Sequence, residues 1–107
     1  MDINQRLTEE LDVKRWQIDA AVQLIDEGNT IPFISRYRKE ATGSLNDEIL
    51  RNLHERLLYL RNLEDKKKQV LSSIEEQGKL TEELRAQILA AETQVAVDDL
   101  YRPYRPK

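Results

Sequence analysis

The sequence predicts an all-α fold, an irregular helical bundle with one long helix over about residues 46–77. Only three Gly and three Pro interrupt its 107 residues, which permits long helices and disfavours a turn-rich β fold. Apolar residues recur at steps of three and four, the spacing that buries one face of a helix. Aromatic residues make up only 6% of the chain, so the core must rest on Leu, Ile and Val. We expect one helical domain spanning 1–107.

The first thirty residues predict two helices. Apolar residues recur at every fourth position from Ile3, and Asp2 is the expected N-cap of the first helix. Asp12 is the expected cap of the second helix, which should end near Gly28 because glycine suits the left-handed end of a helix. Trp16 lies within this second helix, and we expect it to anchor the core.

A short third helix is predicted over roughly 31–40, ending near Gly43. Thr30 can accept the hydrogen bond of an N-cap. Pro32 suits the first helical turn, because the N–H that it lacks would have no partner there.

The long helix has Asn46 or Ser44 as its expected cap and an apolar stripe that continues to Ile74. Its roughly 32 residues at 1.5 Å each would span about 48 Å, which is long for a bundle of this size. We therefore expect part of the helix to project or to pack on something else. The run EDKKKQ interrupts the stripe, and its consecutive lysines, Lys66 to Lys68, predict a solvated face.

The last segment predicts two more helices, one capped by Thr81 and a short one that ends at about Leu100. Pro103 and Pro106 are expected to stop the last helix and to keep the tail extended. The chain stops within this basic, proline-bearing strip, and we expect it to be a fragment of a larger multidomain protein that continues beyond Lys107.

The charge balance limits the classes of partner. A net charge of −3 disfavours an electrostatic grip on nucleic acid by the whole domain. The charge is uneven, because residues 1–29 contain seven acidic and three basic residues, whereas residues 30–45 contain one acidic and three basic residues. No run approaches the ~20 apolar residues that cross a bilayer, and the N-terminus does not resemble a signal peptide. We expect a soluble, cytoplasmic protein with no membrane partner.

Catalytic and metal sites are not predicted. The chain has no Cys, which excludes thiolate zinc sites and cysteine nucleophiles, and His54 is its one histidine. Its acidic pairs are adjacent in sequence, so on a helix the two carboxylates point about 100° apart and do not face each other. No glycine-rich phosphate loop is present. We predict that the chain is not an enzyme and needs no metal or cofactor.

One basic corner is the candidate site, and four residues form it: Arg36, Tyr37, Arg38 and Lys39. In one interpretation the cations bind phosphates or an acidic partner, while Tyr37 stacks on a base. In the other, the guanidinium groups brace the corner against carboxylates such as Asp98 and Asp99. The small size of the patch and the negative net charge favour bracing. Three basic tail residues are further candidates, for nucleic acid contacts or for a link to a following domain: Arg102, Arg105 and Lys107.

Two strings, GNTIPFISRYRKEATGSLNDE and VDDLYRPYRPK, resemble the N-terminal region of the bacterial Tex family of transcription accessory proteins. That family is related to a eukaryotic transcription elongation factor, and the likeness runs over nearly all of the chain. The resemblance implies helix-turn-helix-like packing here, and RNase-H-like, helix-hairpin-helix and OB-fold RNA-binding parts elsewhere in a larger protein. It therefore implies a non-catalytic module whose parent binds RNA or DNA mainly through other domains and meets the transcription machinery. The alternative is a protein docking or self-association module that uses the long amphipathic helix.

Overall fold

A computed structural model of the chain describes residues 1–106. This part is 77% helical and contains no strand, which confirms the all-α prediction. The chain divides into two compact units, the first spanning Met1–Leu60 and the second beginning at Arg61. The expectation of one domain within a larger protein stays a prediction. Seven α-helices and one 3-10 helix form the described part: α1 Ile3–Leu11, α2 Arg15–Asp26, α3 Ile31–Tyr37, α4 Lys39–Thr42, α5 Asp47–Glu76, α6 Glu82–Ala90, α7 Gln94–Tyr101 and the 3-10 helix Arg102–Tyr104.

The start of the first unit confirms one predicted cap and corrects another. The Asp2 carboxylate accepts a hydrogen bond from the backbone N–H of Gln5 at 3.1 Å, as an N-cap does. Asp12 does not cap α2, because its φ of 53° is left-handed and ends α1, whereas an N-cap needs extended backbone. Instead the Lys14 N–H donates to Oε1 of Gln17 at 3.0 Å, and α2 begins at Arg15. Joined by this three-residue turn, α1 and α2 pack against each other.

The core of the first unit is aliphatic, as predicted, but Trp16 is not part of it. Trp16 is 52% exposed, so the expectation that it anchors the core is wrong. It lies two positions before the buried Ile18, about 200° around the helix, and therefore on the opposite side. The buried apolar residues of this unit are Leu7, Ile18, Ala21, Val22, Leu24, Ile34, Leu45, Leu50, Leu53, Leu57 and Leu60.

The long helix confirms its predicted bounds within one residue at each end. Asn46 caps it, with its Oδ1 accepting from the N–H of Ile49 at 2.9 Å. The expectation that part of this helix packs on something else is wrong for its apolar stripe, whose residues from Leu50 to Ile74 are at most 9% exposed: Leu50, Leu53, Leu57, Leu60, Leu63, Val70, Leu71 and Ile74. The predicted exposure of EDKKKQ is also wrong at one position, because Lys67 is only 2% exposed.

The second unit begins within α5 and adds α6 and α7, whose N-caps are Thr81 and Thr93. The predicted extended tail is wrong over Arg102–Tyr104, which is a 3-10 helix with Pro103 in its first turn. Proline is tolerated there because an N–H in a first turn has no helical partner. Hydrogen bonds tie the end of α7 and the 3-10 helix to α5: one of 2.8 Å joins the hydroxyls of Ser73 and Tyr101, and one of 2.7 Å runs from Nε2 of Gln77 to the carbonyl of Tyr104. None of the helices in residues 1–106 combines the length and apolar character that crossing a membrane requires.

Candidate partner-binding surface at the α3–α4 corner

The corner is built from two very short helices. Thr30 caps α3 by accepting from the N–H of Phe33 at 3.3 Å, and Pro32 lies in its first turn, as predicted. The single helix predicted over 31–40 is interrupted at Arg38, whose φ of −124° and ψ of 36° leave the helical region. Helix α4 then runs to Thr42 and ends at Gly43, which has a φ of 64°. The break separates the predicted basic residues between two helix axes.

The two sides of α3 differ sharply in burial. Ile34 is fully buried, whereas Phe33 is 42% exposed and Tyr37 is 61% exposed. Phe33 and Tyr37 are four residues apart and therefore neighbours on one side of the helix. Their ring centroids lie 5.3 Å apart with the planes tilted by 47°. Arg36 is exposed next to this pair. The outer side of α3 thus presents two aromatic rings and a guanidinium group.

The four predicted site residues do not share one environment. Arg36 and Tyr37 are exposed on α3, and Lys39 is exposed as the first residue of α4. Arg38 is half-buried, and its Nε donates to Oε1 of Glu40 at 2.8 Å. That hydrogen bond, and then a backbone hydrogen bond, hold the pKa of Glu40 below its usual value. Arg38 therefore braces against a carboxylate that lies only two residues away in its own unit.

Helix α2 fixes the end of α4. Nε2 of Gln17 donates to the carbonyl oxygens of Thr42 at 3.0 Å and Gly43 at 3.2 Å. A Cβ on Gly43 would lie 2.5 Å from Cη2 of Trp16 and 2.6 Å from Nε2 of Gln17. Glycine is needed here both for its left-handed φ and for this close approach. Trp16 is therefore a packing residue of the corner rather than of the core.

A cleft of about 280 Å³ lies on the inner side of the corner, between α2 and α4. Its lining combines three apolar residues with one amide, one acid and one base: Ala20, Gln23, Leu24, Glu27, Arg38 and Ala41. Across residues 1–106, no three or more His, Cys, Asp or Glu side chains come together as metal ligands would.

The tail candidates lie in the second unit and pair with its own acids. Arg102 contacts Oδ1 of Asp99 at 3.2 Å, and Arg105 contacts Oδ1 of Asp98 at 3.6 Å. Lys66 approaches the same Asp98 oxygen at 2.6 Å. The hydrogen bond from Lys66, aided by the charges of Arg105 and Arg102, lowers the pKa of Asp98. Lys107, the third tail candidate, lies outside the described residues.

Lys67 is the cation that the sequence interpretation placed wrongly. Instead of facing solvent, its Nζ donates to the carbonyl oxygen of Leu89 at 2.8 Å and lies 3.6 Å from Oε1 of Glu64. Leu89 is in the last turn of α6, where carbonyl oxygens lack helical partners and attract cations. The signal was available, because Lys67 is four residues from both Leu63 and Leu71 and so continues their buried side of α5.

The fold and this surface define the class of protein: it is an all-α module with an exposed aromatic and basic corner. The chain matches the Tex-like protein N-terminal domain over residues 1–75. It is 59% identical over 107 residues to the transcriptional accessory protein Tex of Neisseria gonorrhoeae, covering all of this chain and 14% of that protein. It is 55% identical over 98 residues to protein YhgF of Escherichia coli strain K12, covering 92% of this chain and 13% of that protein.

A more distant relative is the human S1 RNA-binding domain-containing protein 1, 32% identical over 104 residues, which cover 97% of this chain and 10% of that protein. The chain thus belongs to the Tex family and corresponds to its N-terminal domain. It spans about one seventh of the length of the bacterial relatives it matches. The resemblance inferred from the two sequence strings is confirmed.

Proposed function

We propose that this chain is a non-catalytic helical module of a cytoplasmic, Tex-like transcription accessory protein, which binds RNA or DNA mainly through parts outside this stretch. The observation that carries the proposal is the 59% identity, over the whole chain, to a protein named as a transcriptional accessory protein. The name of the human relative, which includes an S1 RNA-binding domain, supports nucleic acid as the partner.

Within such a protein the module braces and positions rather than reacts. Its contacts favour this role, because Arg38, Arg102 and Arg105 are each paired with a carboxylate of their own unit. Pairing of this kind orders local structure but removes the charge that a phosphate would need. Arg36, Tyr37 and Lys39 remain exposed and can contact a partner, either nucleic acid or a component of the transcription machinery. The proposal requires no metal and no cofactor.

The test compares the 107-residue chain with a complete relative, the Neisseria gonorrhoeae protein. Fluorescence anisotropy of labelled RNA and DNA would be measured at about 25 mM and at about 200 mM salt, where screening differs strongly. We expect weak, salt-sensitive binding by the chain and much tighter binding by the complete relative, most of which survives deletion of the matching N-terminal region. Tight, salt-insensitive binding by the chain alone, or cleavage of either nucleic acid by it, would contradict the proposal.

Self-association through α5 was the alternative, and its main support is removed by the burial of the apolar stripe. Among the described residues of α5, Leu58 is the large apolar one that is mostly exposed, at 51%. Isolated exposed leucines are common on monomeric proteins and do not indicate an interface. We therefore expect sedimentation to show a monomer, and a concentration-dependent dimer would restore the alternative.

A further inference from the structure

We infer that the outer side of α3, formed by Phe33, Arg36 and Tyr37 with Lys39 beyond the break, is a stacking platform for single-stranded nucleic acid. This inference rests on the proposed function and deepens it, because it gives the module its own contact with the strand. Four features of the corner support it: the exposure of its aromatic rings, their mutual packing, the charges around them and the burial of the opposite side of the helix.

The aromatic pair has the geometry of a platform with a support. Tyr37 is the more exposed ring, at 61%, and Phe33 lies against it at a centroid distance of 5.3 Å. A ring held by a neighbour loses less rotational freedom when a base stacks on it, so less entropy opposes binding. Bases of a duplex already stack on their neighbours, whereas the faces of an unpaired base are available. An exposed tyrosine of this kind therefore selects single strands.

The charges beside the rings suit a phosphate backbone. Arg36 and Lys39 are both exposed, and neither has an ion pair with another residue in the part of the chain that the structure describes. The nearby carboxylate of Glu40 would repel phosphates, but Arg38 neutralises it through the 2.8 Å hydrogen bond. The outer side of the corner thus keeps two free cations beside one stacking ring. Proteins that bind single strands combine cations for the phosphates with aromatic rings for the bases, and this corner offers both.

The exposed pair lies away from the core of the first unit. Ile34 supplies the buried side of α3 and is 0% exposed, whereas Phe33 and Tyr37 leave 42% and 61% of their surfaces accessible. Three of the six aromatic residues of the chain are more than 40% exposed, and two of these three form the pair on α3. Single exposed apolar residues are ordinary, but a contacting aromatic pair beside unpaired cations indicates a partner.

The experiment uses the 107-residue chain and two fluorescent probes, a 12-nucleotide oligo(dT) and a 12-base-pair DNA duplex, at about 25 mM salt. We expect tighter binding to the single strand. Tyr37→Ala should weaken that binding by roughly 5- to 100-fold, the effect of losing one stacked base. Tyr37→Phe keeps the ring and should stay within about twofold of the natural chain. Arg36→Gln should weaken binding and lower the salt slope by about one.

Matched controls come from the exposed side of α5. Arg51→Gln removes an exposed cation and Leu58→Ala an exposed apolar side chain, and neither should change binding by more than about twofold. Circular dichroism of each variant confirms that it is folded. Weakening by Tyr37→Ala with retention by Tyr37→Phe, both folded by circular dichroism, would support the platform, since neither variant changes the charge and only the first removes the ring.

Three outcomes overturn the inference. Equal affinity for single strand and duplex, with Tyr37→Ala unchanged, would leave only non-specific charge binding. No binding to oligo(dT) at about 25 mM salt would remove the contact, while the proposed function, which places most binding elsewhere, would stand. Equal or tighter binding of a Glu-rich peptide of matched charge would make the corner a protein site. Failure of the proposed function is detected separately, by tight salt-insensitive binding or by nuclease activity.

Discussion

The basic run Arg36–Lys39 and the basic run Lys66–Lys68 contain three cations each, but only the second run contains a buried one. The first crosses the break between α3 and α4, and its Arg36 and Lys39 are exposed. The second lies within the unbroken α5, where Lys67 is 2% exposed. The number of charges in a run therefore does not determine whether a side chain is buried. Burial depends on the direction in which the backbone points that side chain.

The available acceptors explain the rest of the difference. A cation can be buried only where a protein acceptor replaces the water that it loses. Lys67 meets the carbonyl of Leu89 at the end of α6, whose partial negative charge also attracts it. At the corner, the carbonyls of Thr42 and Gly43 at the end of α4 already accept from Gln17. Arg36 and Lys39 remain at the surface, where a partner can reach them.

The largest expected effect comes from removing the buried cation. Lys67→Ala deletes a buried side chain and leaves the carbonyl of Leu89 without its donor. The cavity and the lost hydrogen bond together should lower the free energy of unfolding by about 2–4 kcal/mol. Urea denaturation followed by circular dichroism measures this.

Lys68→Ala is the matched control, because Lys68 is exposed on the same helix. It should change the free energy of unfolding by less than about 0.5 kcal/mol. If the two alanine variants were equally stable, Lys67 would not be buried against α6 in solution, and the contrast between the two runs would disappear.

A smaller effect is expected from closing the space under Trp16. Gly43→Ala places a methyl group against Trp16 and Gln17 at a left-handed position, and it should cost about 2–3 kcal/mol of unfolding free energy. Gly78→Ala has a similar φ of 70° but nothing within 4 Å of its Cβ, so it should cost only about 1 kcal/mol. Equal costs measured by urea denaturation would mean that Trp16 does not hold the end of α4.

Most of the helices were predictable because their signals are local. The caps Asp2, Thr30, Asn46 and Thr81 each accept from the backbone N–H three residues ahead, a contact that sequence spacing alone predicts. The break at Arg38 was not predictable, since no Gly or Pro lies between Phe33 and Ala41 to mark it.

Contacts between elements were the least predictable part. Trp16 was expected in the core because it is large and apolar, but its angular position on α2 sends it to the surface of the corner. Tertiary contacts also separated the candidate site residues from one another. Arg38 pairs with Glu40, and the tail arginines pair with acids of the second unit. Tertiary geometry, which sequence spacing does not contain, decides which cations stay unpaired.

The smallest effect should come from replacing Lys66, the partly exposed neighbour of Lys67, and its size should depend on pH through Asp98. Lys66 lies 2.6 Å from Asp98 and lowers the pKa of that carboxyl below its unfolded value of 3.8. Because the folded pKa is the lower one, the pair stabilises the protein above pH 3.8, and this contribution is lost as the pH falls through the folded pKa. Lys66→Met should therefore destabilise the chain slightly near pH 7 and progressively less towards pH 2.

Lys68→Met is again the control, since it removes an exposed cation of the same run, and its stability should follow that of the natural chain at every pH. Urea denaturation at intervals between pH 2 and pH 7 measures all three proteins. A constant difference between Lys66→Met and the natural chain across this range would show that Lys66 acts through packing alone. A difference that vanishes at low pH would show that Lys66 is intermediate in burial between Lys67 and Lys68, because it pairs with a carboxylate while still in contact with water. Arg38 pairs with Glu40 at the corner in the same way.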